Sequence, residues 1–321
     1  MLRHILGQTR LEVSQLGFGC VKLTTHADRH DAVQALETAF SEGITHFDVA
    51  RAYGFGRAEG ILGEFLQGKR ARVTVATKFG IQPPSGIAGN RWAIDLAKKV
   101  LSPFPGLLQR AKQRGSAMVE SGAFTPAAML RSLETSLKEL RTDYVDLLVL
   151  HEANLEEASG EPLLAAMQNQ VKRGTIRAFG IASAFSKLGE AFERLPPDYG
   201  VLQFDDNAST RNRQRVCDTG RGLITHSVFH PSQALRDAMA ANAELTNRFS
   251  QEIGADLKEP SVIGSLLLHY ALSTNPNGVV LFSSSDRQRI SQNVRDAASN
   301  PYDKQQLLSF TKFVDAALKP S

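Results

Sequence analysis

Residues 46–56 read HFDVARAYGFG, the end of an apolar run that begins at Ile44. The run is short, rich in residues that favour strands, and opens into a turn of small residues. It carries one carboxylate, Asp48, at the strand's end and one phenol, Tyr53, in the turn that follows. A pair placed this way suits chemistry presented at one rim of a barrel. Taken alone the pair is weak evidence, because most Asp residues at strand ends are N-caps or turn formers and most Tyr residues are packing.

Outward from this stretch the chain alternates. Upstream, residues 2–13 form a predicted hairpin around Gly7-Gln8-Thr9-Arg10. Residues 16–20 are strand-like, and residues 28–41 place Ala32, Leu36, Ala39 and Phe40 at helical spacing before Gly43. Downstream, an amphipathic stretch at 58–66 precedes a strand at 73–77 that ends at Lys78. Strand and helix taking turns means parallel strands with crossover helices. Residues 80–124 interrupt the rhythm. They are rich in Pro, Gly and Ser, hold the only tryptophan, Trp92, and allow one helix near 91–101. A segment of that length inside a domain reads as a lid or binding loop.

The alternation then resumes. Thr125-Pro126 opens a helix to Leu140, with Thr125 as N-cap and Pro126 at the first position. A strand at 144–150 ends at His151. Helices follow at 163–173, 185–194, 260–272, 286–298 and 303–318, with a polar helix near 210–218 and helical pieces within 227–259. The remaining strands are 176–181, 200–204, 222–225 and 278–282. Eight strands after the hairpin predict one (β/α)8 TIM barrel domain over residues 1–321, with long loops after the third and seventh barrel strands. An open doubly wound sheet would need a Gly-rich turn after the first strand, and Cys20-Val-Lys-Leu-Thr24 is not one.

Composition narrows the function classes. The 321 residues are 42% hydrophobic and 22% charged, with net charge +4 and pI about 9.1. The basic residues are scattered and not interleaved with aromatics, which argues against nucleic acid, while the positive balance suits an anionic cofactor. The cluster Gln67-Gly-Lys-Arg-Ala-Arg72 reads as a solvated face. Two cysteines, Cys20 and Cys217, make neither a disulfide framework nor a zinc site. No apolar leader or membrane-length run is present, so a soluble, cytoplasmic protein is expected.

Strand ends converge in a barrel whatever their distance in sequence. Asp48, Tyr53, Lys78 and His151 stand at or just beyond three successive ones. Their chemistry is mutually consistent. An ammonium beside a phenol lowers its pKa, a carboxylate holds the ammonium charged, and an imidazole N–H can polarise a carbonyl oxygen. A metal-dependent hydrolase built on His151 and Asp48 lacks paired-ligand spacing, so no metal is expected.

These four residues resemble the catalytic tetrad of the aldo-keto reductase superfamily. LGQTRLEVSQLGFG (6–19), FDVARAYG (47–54), VATKFG (75–80) and DYVDLLVLH (143–151) are also similar to that family's signatures. The resemblance runs from Leu6 to about Asn293. It implies NAD(P)H bound across the barrel mouth, with Tyr53 giving the proton, Lys78 and Asp48 tuning it, and His151 orienting the substrate. It assigns Ser183 and Gln203 to the nicotinamide carboxamide, with Ala182 standing where the family carries a further contact. His226 occupies the place of a stacking tyrosine. Ser283, Ser284 and Ser285 fall to the phosphates, and Arg289 and Asn293 to the adenosine end, with NADP(H) preferred over NAD(H). The expected activity is hydride transfer to or from a small aldehyde, ketone or sugar, with Phe55 and Trp92 as pocket walls. His151-Glu152 and the enlarged insertion look like the sugar-lactol dehydrogenase branch. A cofactor-binding regulatory subunit is the alternative.

Overall fold

The computed structural model describes residues 1–24, 28–82, 124–299 and 301–318. The insertion, with its expected helix at 91–101 and Trp92, lies almost wholly outside them.

A hairpin of β1 (Arg3–Ile5) and β2 (Glu12–Ser14) pairs antiparallel. Eight parallel strands follow: β3 (Leu16–Gly19), β4 (His46–Asp48), β5 (Thr74–Phe79), β6 (Val145–His151), β7 (Ile176–Ala182), β8 (Val201–Asp205), β9 (Gly222–His226) and β10 (Val279–Phe282). Each pairs with its sequence neighbour, and β10 returns to β3, closing the barrel. The expected (β/α)8 architecture is therefore the one observed.

Local chemistry sets the helix ends. The Asp28 carboxylate accepts from Asp31 N at 2.8 Å, Thr125 Oγ1 accepts from Ala128 N at 3.2 Å, and Asp286 caps the helix Arg287–Ala298. Gly174, at φ 76°, ends the helix Glu161–Arg173 in the left-handed conformation that suits glycine.

Two apolar layers result. The larger lies between strands and helices. The smaller fills the barrel, where Leu6, Leu11 and Val13 of the hairpin region pack under Ala76, Leu147, Val149, Val201, Ile224 and Val279. The hairpin thus plugs the floor. Because side chains alternate along a strand, the residues two positions beyond this lining also face inward. They include Lys78, His151, Gln203 and His226.

Three sequence expectations change. The polar helix near 210–218 is only a 3-10 turn, Asn212–Arg215. The Asn207 carboxamide accepts from Ser209 N and Thr210 N, and Arg211 turns left-handed at φ 52°, so side chains have taken over backbone partners a helix would use. The helix at 185–194 is one α-turn, Phe185–Leu188, continued as 3-10. The basic cluster 67–72 is not simply solvated. Arg70 is mostly buried, bridging to the Asp146 carboxylate at 2.7 Å and donating to the Tyr144 carbonyl at 3.0 Å. Within residues 227–259 the structure forms helices Ser232–Ala241 and Ala243–Ile253.

Candidate active site

Lys78 and Asp48 are each 2% exposed at the mouth of the barrel. The Lys78 ammonium donates to Asp48 Oδ1 and to the Val49 carbonyl at 3.2 Å. Asp48 Oδ2 accepts from Gln203 Nε2 at 3.2 Å, so one carboxylate holds both a lysine and an amide. Tyr53 arrives from the turn after β4, where Gly54, Phe55 and Gly56 all have positive φ (59°, 57° and 84°). A Cβ at Gly54 would lie 2.2 Å from Thr24 Oγ1, so the turn needs glycine for space as well as for φ. The turn sets the Tyr53 ring 5.2 Å from Lys78 Nζ and edge-on to the His151 ring at 6.0 Å.

A cavity of about 530 Å³ opens here. Asp48, Tyr53, Lys78, His151, Ser183, Gln203, His226 and Ser283 all line it. Three side-chain atoms of its lining residues, His151 Nδ1, Ser183 Oγ and Gln203 Oε1, are buried without a hydrogen-bond partner among the described residues. Buried polar groups are ordinarily satisfied, so three orphans around one cavity mark where a polar ligand would complete them.

The electrostatics correct one expectation. Tyr53 is held above its ordinary pKa, because burial outweighs the attraction of Lys78 for the phenolate. Burial alone would lower Lys78, yet Asp48 and Tyr53 together leave it above its usual value. His151 falls to about 3, through burial and then the facing Lys78 and His226. His226, whose Nδ1 lies 2.9 Å from Ser227 Oγ, is also lowered by burial and stays a neutral ring.

The remaining predicted residues sit elsewhere. Ser284 Oγ accepts from Asp286 N at 3.1 Å, tightening the turn before the helix Arg287–Ala298. Ser285 is part of that turn, and Asn293 is nearly buried on the helix. Arg289 is exposed beside Asp286 and Gln292 in a shallow surface cleft. Phe55 is 37% exposed and does not line the cavity. Lys22, Phe229 and His230 line it without having been singled out from the sequence. Lys22 had a legible signal, a cation just past the first barrel strand. Phe229 and His230 enter from a loop with no periodicity to read.

Residues 15–315 match the profile of the aldo/keto reductase family. The chain belongs to this family. Among curated proteins it is 25% identical over 318 residues to the uncharacterized oxidoreductase YqkF of Bacillus subtilis, covering 92% of this chain and 91% of YqkF. It is 31% identical over 217 residues to pyridoxal 4-dehydrogenase of Microbacterium luteolum, covering 62% and 61%. Among solved structures, an aldo-keto reductase from Klebsiella pneumoniae in complex with NADPH superposes with TM-score 0.66 at 19% identity, covering 100% of this chain and 97% of that one. The similarity to YqkF extends along nearly all of both chains, whereas pyridoxal 4-dehydrogenase shares about three fifths of each.

Proposed function

We propose that this aldo/keto reductase uses NADP(H) to interconvert a small aldehyde, ketone or sugar and its alcohol, with Tyr53 as the acid–base group. The observation that carries this reading is the pair of orphaned atoms in the cavity. Gln203 Oε1 is an acceptor and Ser183 Oγ a donor, the two functions an amide such as the nicotinamide carboxamide requires. The residues present therefore fit that group. Ser283 and Lys22 flank the same cavity, and Lys22 N donates to Ser283 Oγ at 3.2 Å, offering a cation and a hydroxyl to a phosphate chain. Arg289, exposed beyond them, suits a 2′-phosphate, and the NADPH complex of the Klebsiella protein supports the same cofactor.

The reduced nicotinamide, when bound, supplies the hydride. The protein's share is the proton and the orientation. Burial keeps the Tyr53 phenol protonated, so it can donate to the carbonyl oxygen. Lys78 faces the phenolate this leaves and stabilises it, while Asp48 keeps the ammonium in place. His151 is a neutral ring, so it can present an N–H to the same oxygen without bringing a charge. The orphaned His151 nitrogen supports that role.

The test is NADPH absorbance followed with a panel of aldehydes, ketones and aldoses, beside NADH. Turnover with NADPH on at least one class is expected. Tight NADPH binding with no turnover across the panel would replace the enzyme with a cofactor-sensing protein.

A further inference from the structure

Glu59 is fully buried in the first turn of the helix Ala58–Phe65, outside the barrel wall and outside the cavity. Both of its carboxylate oxygens are taken. Oε2 is bridged by Arg51 NH1 at 2.6 Å, and Oε1 accepts from Thr77 Oγ1 at 2.6 Å. The positions of these partners in the chain are what matter. Arg51 is two residues before Tyr53, in the same turn. Thr77 immediately precedes Lys78 on β5 and, by strand alternation, faces the helices while Lys78 faces the mouth.

We propose that Glu59 is a positioning residue whose carboxylate fastens the turn bearing Tyr53 to the strand bearing Lys78. The inference rests on the reading of Tyr53 and Lys78 as the proton-transfer pair. The turn does not hold its own shape unaided, because Phe55, between two glycines that adopt positive φ freely, sits at φ 57° where a bulky side chain is strained. Such backbone persists only where surrounding structure holds it. The clamp supplies that hold through short, charge-assisted contacts, which restrict distance and direction more narrowly than apolar packing does. A misplacement of about 1 Å at a reacting pair is enough to lower turnover by about a hundredfold.

The experiment compares wild type with Glu59→Gln, which keeps shape and one hydrogen bond but removes the charge, and with Arg51→Met and Arg51→Lys. Four quantities are read: kcat and KM for aldehyde reduction, the Kd for NADPH, and the ionisation of Tyr53. The last is followed by the ¹³Cζ resonance of labelled tyrosine, assigned by its loss in Tyr53→Phe. The groups facing the phenol are Lys78, Asp48, the Cys20 thiol and the His151 ring, and none is altered by these substitutions.

Glu59→Gln and Arg51→Met are expected to lower kcat at least about tenfold. NADPH Kd should stay within about twofold, and Tyr53 should titrate at higher pH because Lys78 no longer lies in register. Arg51→Lys should recover part of both effects. A fall in melting temperature with kcat per folded molecule and the Tyr53 titration unchanged would overturn the proposal, leaving Glu59 a stabilising residue only. The titration needs neither cofactor nor substrate, so it decides the role of Glu59 even if no carbonyl compound is turned over.

Discussion

Two aspartates are buried at opposite ends of the barrel, and they are wired differently. Asp146, near the floor on β6, is 0% exposed. Its Oδ2 accepts from Val75 N at 2.8 Å and from Arg70 at 2.7 Å, and its Oδ1 accepts from Arg177 at 2.9 Å. Both guanidinium groups lie over the Tyr144 ring, at 3.9 and 4.4 Å from its centroid. Through Arg177, whose side chain is about half exposed, the network runs out to solvent. Asp48, at the mouth, is also paired, but its partners Lys78 and Gln203 line the cavity and their contacts go further. Lys78 reaches Tyr53, and Gln203 leaves Oε1 unpartnered. A buried charge is thus no mark of a functional site by itself. What separates the two ends is whether the network leaves a buried polar atom without a partner, as it does at Gln203 Oε1 and not at Asp146, Arg70 or Arg177.

That contrast can be broken from either side. Tyr53→Phe should have the largest effect, lowering kcat by about 10²–10⁴ while NADPH binding, read by fluorescence titration, stays within about twofold. Asp146→Ala should do the reverse. Removing one partner of a buried ion pair costs about 3–5 kcal/mol, so the urea midpoint should fall sharply while kcat per folded molecule is retained. An activity loss in Asp146→Ala larger than the loss of folded protein would sink the contrast.

A third effect comes from the inward-facing histidines. His46 is lowered to about 4 and His151 to about 3, in both cases chiefly by burial. The unfolded chain binds protons at about pH 6.5, before the native state does. Stability is therefore complete above that value and is lost as pH falls towards about 4. The expected slope is about 1.4 kcal/mol per pH unit for each histidine. Urea unfolding between pH 7 and pH 4 should show it, and His46→Gln should flatten the curve by one histidine's share. The smallest effect belongs to Ser183→Ala. Loss of one hydrogen bond of about 1 kcal/mol should weaken NADPH binding by about fivefold with little change in kcat.

Much of this molecule could be read from its residues, and the reasons are local. A strand buried on both faces is a short apolar run, and a polar side chain at its end stands out, as Asp48, Lys78 and His151 do. Barrel closure then brings those ends together without any knowledge of contacts. Pairings across elements were not legible. Nothing near Glu59 points to Arg51 or Thr77, and nothing near Arg70 in the 67–72 cluster points to Asp146, because both pairings depend on register and on which face a side chain takes. The ionisation of Tyr53 was misjudged for a related reason. The approach of Lys78 can be guessed from strand order, but the depth of burial that outweighs it is a property of the packed mouth. At the polar stretch 209–215, side-chain competition for the backbone decided between helix and turn, and periodicity does not register that contest.

The hairpin that plugs the floor has one more consequence. With Leu6, Leu11 and Val13 filling the barrel beneath it, the cavity at Tyr53 and Lys78 is blind on the floor side. A ligand seated among Lys78, Ser183 and Gln203 would therefore come and go by the rim.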